Sequence, residues 1–457
     1  MIDSHAHLDF RQFDSDREEV IRTGFAAGLE ALINIGTDLP SSQRSLELAK
    51  KYDNIYATVG VHPHDAKDCP GDYLNQLKHL IESDSLGRIV AIGEIGLDYY
   101  RALSPRDIQK RVFREQLGLA RELNRPVVVH IRESMSDALA IIAESGVTRG
   151  VLHSFPGSID EAKRGIELGY FISFAGPITY PKSTRPEVAA SIPLYRTLAE
   201  TDSPYLTPQA FRGKRNRPEY VRFVIEKLAE MHAPYTFEDI ERITSFNARR
   251  LFGLPMDKTG KIVYKIRKSL YINLTNRCTS NCYFCIRHGK LKGYVSGHYL
   301  LLKSEPSASD VLSAAAVEKD YDEVVFCGLG EPTLRLNELL EISSELKKNE
   351  VSVRLDTNGH GSLINKIDLP SKLAGLVDRV SVSLNAQDAE TYIRICKPDR
   401  GSEAYDAMIN FIKGCIKCGI VTEASVVDLP EIDIQACGRL AQTLGASFRI
   451  RRHYTGD

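Results

Sequence analysis

Met1-Ile2-Asp3-Ser4-His5-Ala6-His7-Leu8-Asp9 is a short run that sets two histidines two residues apart. On a β-strand alternate residues share a face, so both imidazoles project to one side and can hold one cation. The same arrangement, a short β-branched run with polar residues at its right-hand end and then a longer charged amphipathic segment, returns at 31–38, 55–64, 89–99, 126–133, 150–154, 170–175 and 198–206. That alternation predicts parallel strands joined by crossover helices. Eight such units predict an α/β chain whose first part closes as a TIM-type (β/α)8 barrel.

In such barrels the C-terminal strand ends carry the active site, and the chemistry-bearing residues fall there. Glu94 stands in Gly93-Glu94-Ile95-Gly96-Leu97-Asp98, His130 and His153 end the fifth and sixth runs, and Asp202 stands in Glu200-Thr201-Asp202-Ser203-Pro204. With His5 and His7 they make six nitrogen and oxygen donors on one rim. Such a set can hold two divalent cations (Mg, Mn or Zn) bridged by the Glu94 carboxylate, an arrangement suited to hydrolysis.

In order and context these residues, together with the closing Thr244-Ser245-Phe246-Asn247-Ala248-Arg249-Arg250-Leu251-Phe252, resemble the TatD family of metal-dependent hydrolases over residues 1–253. The resemblance implies His5, His7, Glu94 and Asp202 around one metal and Glu94, His130 and His153 around the second, with Glu94 and Asp202 catalytic. It implies hydrolysis of DNA or another phosphodiester substrate. Esters or amides of a small molecule or an aminoacyl-tRNA are the alternative. His62 and His64, in Gly60-Val61-His62-Pro63-His64, match a further family motif; they are expected either to orient substrate phosphate or to stack on other side chains, a direct ligand role being the lesser alternative. Arg212, Lys214, Arg215 and Arg217 follow the eighth run and are expected to contact phosphate. Arg217 stands where relatives often carry an acidic residue.

A chain of 457 residues exceeds what one hydrophobic core organises. The expected division is a hydrolase domain at 1–253, a linker at 254–267, where Pro255, Gly260 and charges show no periodicity, and a second domain at 268–457. With 59 basic and 60 acidic residues no global field draws the chain to nucleic acid or membrane, so recognition of an anion has to be local. The sequence shows no leader pattern and no apolar run near ~20 residues. We therefore expect a cytoplasmic protein without a membrane partner. Eight of the nine cysteines follow residue 277, a clustering that suits metal ligation in a reducing compartment.

Beyond the linker, strands are expected at 270–274, 323–327, 351–357, 379–385, 421–427 and 447–452, a partial (β/α)6 barrel with an open cleft. Cys278-x3-Cys282-x2-Cys285 lies on the loop after the first of them, with Phe284 before the last cysteine. Three thiolates on a tight loop can bind three irons of a [4Fe-4S] cluster and leave the fourth open. A zinc site would need a fourth ligand, for which His288 is nearest.

Spacing, aromatic residue and context resemble the radical SAM superfamily over 268–457. The resemblance implies that S-adenosyl-L-methionine chelates the open iron and that Gly330 and Glu331, in Gly328-Leu329-Gly330-Glu331-Pro332, lie along its methionyl part. Asn358 is a further cofactor contact, Ser383 and Asn385 contact the ribose, and Arg394 pairs with the carboxylate. A reductant such as flavodoxin or ferredoxin, and a radical substrate the sequence does not name, complete the expected partners. Cys415 and Cys418 form a Cys-x-x-Cys pair expected to be structural. The whole resembles TatD-associated radical SAM proteins: a bifunctional enzyme, or one catalytic half beside a docking module.

Overall fold

Residues 1–289 and 291–453 are described by the computed structural model, which divides into two units, Met1–Met256 and Asp257–Asp457. All eight expected strands of the first unit form. They are β1 (Ile2–Ala6), β2 (Ala31–Asn34), β3 (Ile55–Val59), β4 (Ile89–Asp98), β5 (Val127–Arg132), β6 (Gly150–Leu152), β7 (Phe171–Phe174) and β8 (Thr197–Ala199). They pair in sequential order, and every pair is parallel. The ring closes through the segment after β8: Asp202 N donates to the His5 carbonyl at 2.9 Å and His7 N to the Ser203 carbonyl at 2.8 Å. Closure therefore delivers Asp202 beside the two histidines of β1.

Residue parity sorts the two faces of each strand. On β5, Val127, Val129 and Ile131 pack outward under the helices. Val128 points into the barrel, joined there by Ile2, Ile33, Val90, Val151, Phe171 and Leu198. The last helix, Phe237–Phe252, sets Ala248, Leu251 and Phe252 into that same cluster at the N-terminal ends of the strands. A Thr236/Asp239 capping box starts this helix and Gly253, at φ 68°, ends it. One end of the barrel is thus filled with apolar side chains and the polar residues are left to the other.

The second unit contains β9 (Val263–Ile266), β10 (Ser269–Ile272), a small hairpin of β11 (Tyr294–Val295) and β12 (His298–Tyr299), then β13 (Glu323–Phe326), β14 (Ser352–Thr357), β15 (Arg379–Ser383), β16 (Val421–Asp428) and β17 (Ser447–Arg452). The main sheet runs β17-β16-β15-β14-β13-β10-β9. Its six expected strands are parallel and joined by helical crossovers, an open (β/α)6 arrangement, while β9 pairs antiparallel with β10. The stretch expected to be a linker, 254–267, therefore carries an edge strand. Its hairpin turns on Arg267, at φ 57°, where glycine or asparagine is the usual signal, so no turn was legible. Leu270, Ile272, Val324, Phe326, Val353, Leu355, Val380, Val382, Ala424 and Val426 share one core with the helices. Residues of opposite parity, among them Tyr271, Arg354, Asp356, Ser383, Glu423 and Arg451, leave the other face polar. No described helix is long and apolar enough to cross a membrane.

Candidate active sites

Glu94 is the centre of the first site. Its Oε2 lies 3.5 Å from His5 Nε2 and 3.6 Å from His7 Nε2, and its Oε1 lies 2.9 Å from His130 Nδ1 and 3.0 Å from His153 Nε2. Asp202 Oδ1 completes the Oε2 side, 3.5 Å from His5 and 3.3 Å from His7. His5 and His7 nitrogens are 3.1 Å apart, those of His130 and His153 3.3 Å. Donors that share an ion at about 2.1 Å sit about 3.0–3.4 Å from one another, so both nests have the spacing of a coordination shell. His5, His7 and Glu94 form one group of converging donors, His5, His153 and Asp202 another, and His62, Glu94 and His130 a third. All six expected donors are brought together. His62, for which the sequence left phosphate orientation, stacking or direct ligation open, lies 3.6 Å from Glu94 Oε1 and edge-on to His64 and His130.

Burial alone would raise the Glu94 carboxyl, but the charges of His153, His62 and His5 and the His130 hydrogen bond outweigh it and hold the group well below the usual carboxylate range. An ionised carboxylate thus lies amid buried imidazoles, a donor set made for cations.

Two carboxylates that the sequence reading passed over fix the rings. Glu200, fully buried, lies 3.2 Å from His153 Nδ1 and accepts from Ser154 N. Asp98, also fully buried, lies 3.2 Å from His130 Nε2 and 2.8 Å from His64 Nε2. His7 Nδ1 is held by the Ile35 carbonyl at 3.2 Å. Gly96, at φ 136°, allows β4 to meet β5 here, because a Cβ would run into the His130 carbonyl.

None of Arg212, Lys214, Arg215 and Arg217, expected to contact phosphate, lines the pocket above the nest. Arg215 forms an ion pair with Asp16 and lies over the Phe13 ring, Arg217 pairs with Glu219 at 2.7 Å, and Arg212 lies over Tyr180. The basic side chains that line the pocket above the nest are Arg101 and Arg132.

In the second unit the loop after β10 carries Cys278, Cys282 and Cys285, all half-buried. Burial pushes the Cys278 thiol up to about 12. The Cys282 thiol is lowered by a hydrogen bond from Cys396, a fully buried helical residue that the sequence reading left unassigned. One guanidinium, Arg287, bonds Cys285 and acts on all three thiols. Among the described residues, the donors that converge on a single point all belong to the barrel and the three thiols are not among them. His288 Nε2 lies 2.8 Å from Asn281 Oδ1.

Glu331 is buried. Its Oε1 accepts from Thr333 N, Thr333 Oγ1 and Thr357 Oγ1, while among the described residues Oε2 accepts only from Asn358 N at 2.8 Å and keeps acceptor capacity. Gly330 packs so closely that a Cβ would meet the Thr275 and Arg277 carbonyls. Asn358 donates to Thr279 Oγ1 at 2.9 Å beside Cys278. Ser383 and Asn385 both accept from Arg451 at 3.3 Å, a residue the sequence reading did not single out. Arg394 is exposed on the helix Ala389–Cys396, its charge felt by Tyr283. Cys415 and Cys437 are buried in the core.

The family model described as TatD related DNase matches residues 2–253, and that of the Radical SAM superfamily matches 272–438. The uncharacterized metal-dependent hydrolase YabD of Bacillus subtilis (strain 168) is 44% identical over 257 residues, 56% of this chain and 99% of its own length. The 3'-5' ssDNA/RNA exonuclease TatD of Klebsiella pneumoniae (strain 342) is 33% identical over 265 residues, 56% of this chain and 99% of its own. The crystal structure of YJJV, a TatD homolog from Escherichia coli k12, superposes with TM-score 0.54 at 33% identity, covering 56% of this chain and 98% of that one. The protein is an enzyme that belongs to the family of TatD related DNases and carries a radical SAM superfamily domain behind its barrel.

Proposed function

We propose that the barrel hydrolyses phosphodiester bonds of DNA with two divalent cations, one held by His5, His7, Glu94 and Asp202 and one by Glu94, His130 and His153, with His62 beside it. The observation that carries this reading is the Glu94 carboxylate, which turns one oxygen to each of two imidazole pairs. When bound, such a pair of ions supplies an activated water and neutralises charge on the phosphate. Glu94 holds the two nests at a fixed separation. Asp202, which lines the pocket, would orient the attacking water and take its proton. Glu200 and Asp98 keep His153 and His130 from turning. The test is chelation with EDTA followed by metal add-back on a labelled oligonucleotide: activity should vanish and return. Hydrolysis that survives complete metal removal would overturn the reading.

We infer that Cys278, Cys282 and Cys285 hold a [4Fe-4S] cluster and that S-adenosyl-L-methionine binds beside it along Gly330, Glu331, Asn358, Ser383 and Asn385, with Arg394 toward its carboxylate. When bound, such a cluster would supply the one-electron reduction, drawn from a donor such as flavodoxin or ferredoxin, needed for reductive cleavage of S-adenosylmethionine. Arg287 offsets thiolate charge, Gly330 lets the backbone approach, and Glu331 ties its loop to the end of β14. Three cysteines at Cys-x3-Cys-x2-Cys spacing on one loop, with His288 held by Asn281, support a cluster over a single zinc ion. Anaerobic reconstitution should give about four irons per chain, and Cys282→Ala should give none.

A further inference from the structure

The pocket at the mouth of the barrel, about 620 Å³ in volume, has two unlike walls. One is aromatic and comes from the segments after β1 and β8. Phe10 stacks on the His7 imidazole with ring centres 4.5 Å apart, and Tyr205, 47% exposed, meets Phe10 edge-on at 6.2 Å. The other wall is cationic and comes from the ends of β4 and β5, where Arg101 and Arg132 line the pocket. The Arg132 guanidinium lies 3.9 Å from the centre of the Tyr100 ring, a contact that fixes the cation at the rim without neutralising it. Among the described residues, neither Arg101 nor Arg132 has a carboxylate at ion-pair distance. Among the described residues, the only carboxylate lining the pocket outside the nest is Asp65, whose carboxyl is pushed up by burial and by the nearby Asp38. In a ring of eight strands in sequential order, the β8–β1 seam is opposite the β4–β5 seam. The Glu94 nest therefore lies between the two walls.

We propose that these walls are the specificity elements of the site: an unpaired nucleobase stacks on Phe10 and Tyr205, and a phosphate beyond the scissile linkage pairs with Arg101 and Arg132. The inference rests on the phosphodiesterase reading and adds its minimal ligand, a dinucleotide that carries a terminal phosphate. A base has a π-face for an aromatic platform only when it is out of a duplex, and stacking of this kind is sequence-tolerant. An arginine fork suits phosphate, and of the two Arg132 is half-buried at the pocket while Arg101 stands exposed at its rim.

The test is equilibrium binding by calorimetry to the full chain with its metals, using thymidine dinucleotides whose internal linkage is a non-hydrolysable methylene phosphonate. The probes carry a terminal phosphate at the 5′ or the 3′ end, no terminal phosphate, or the phosphate with one thymine removed. In the wild type, loss of the phosphate at one of the two ends and loss of the base should each weaken binding about tenfold. Arg132→Ala should erase the phosphate effect and keep the base effect. Tyr205→Ala should do the reverse, and Tyr205→Phe should restore base discrimination. Equal binding of all probes by the wild type, or variants that weaken every probe alike, would overturn the proposal. A chain that shows the binding pattern but leaves an ordinary phosphorylated dinucleotide intact would instead overturn the phosphodiesterase reading.

Discussion

Glu200 and Asp98 touch no ligand-facing nitrogen of the first site, yet each holds the far nitrogen of a histidine that does. A carboxylate in that position fixes the ring tautomer and strengthens the ligand, and its loss typically costs 10–100-fold in metal affinity. We expect Glu200→Gln to weaken one of two metals by about that factor while the His5/His7 side keeps its ion, and Glu94→Gln to weaken both. Metal titration of the two variants checks this, and equal losses in both would remove the bridging role of Glu94. His360 makes a different prediction. It lies between Thr279 Oγ1 at 3.0 Å and Tyr392 OH at 2.8 Å, and burial lowers its pKa to about 4. The unfolded chain takes up a proton near pH 6.5 that the folded chain refuses until about pH 4, so stability present above 6.5 is lost as pH falls through that window. The loss should reach about 2 kcal/mol at pH 5. Hydrogen exchange of the second unit, corrected for intrinsic rates, should show it, and His360→Gln should flatten the pH dependence.

Among the elements, the last barrel helix carries the heaviest structural duty, since Leu251 and Phe252, 1% and 4% exposed, fill the barrel end remote from the nest. Phe252→Ala should cost about 3–5 kcal/mol, read by denaturant unfolding of the barrel, while kcat at a permissive temperature stays within twofold. A large fall in kcat with unchanged stability would mean that the helix shapes the site. Strand positions were legible because β-branched runs alternate with charged helices, and all eight runs fell where β1 to β8 form. Lengths were not. The run 55–64 ends as a strand at Val59 and 198–206 at Ala199, because a ladder stops where its neighbour stops, and the polar tips then turn into the rim. The six donors were legible for the same reason, each lying in or just after a strand, although Glu94 stands midway along β4, which runs on to Asp98. Their supports were not, because Glu200 serves a ring from β6 and Asp98 rings from β5 and the loop after β3, partners that local spacing does not encode. The Arg215 and Arg217 patch failed likewise: Asp16, far away in sequence, neutralises the first, and Glu219 folds back on the second.

For the whole molecule, what matters is how the two chemistries depend on each other. Each unit has its own hydrophobic core, the barrel clusters lying within the first unit and the sheet cluster within the second. No expected ligand of one site comes from the other unit, since His5 to Asp202 lie before residue 256 and Cys278 to Asn385 after it. Effects of substitutions that share no partners add, to within a few tenths of a kcal/mol. We therefore expect anaerobically prepared protein to load iron and divalent metal independently. Cys282→Ala should lose its iron and labile sulfide while keeping divalent metal and oligonucleotide hydrolysis. Glu94→Gln should lose divalent metal while keeping iron and the formation of 5′-deoxyadenosine from S-adenosylmethionine. The double variant should show the sum of the two losses, measured by elemental analysis and by the two activities on one preparation. A single substitution that empties both sites would show that the units fold or load as one, and the fusion would then be a structural dependence instead of two enzymes sharing a chain.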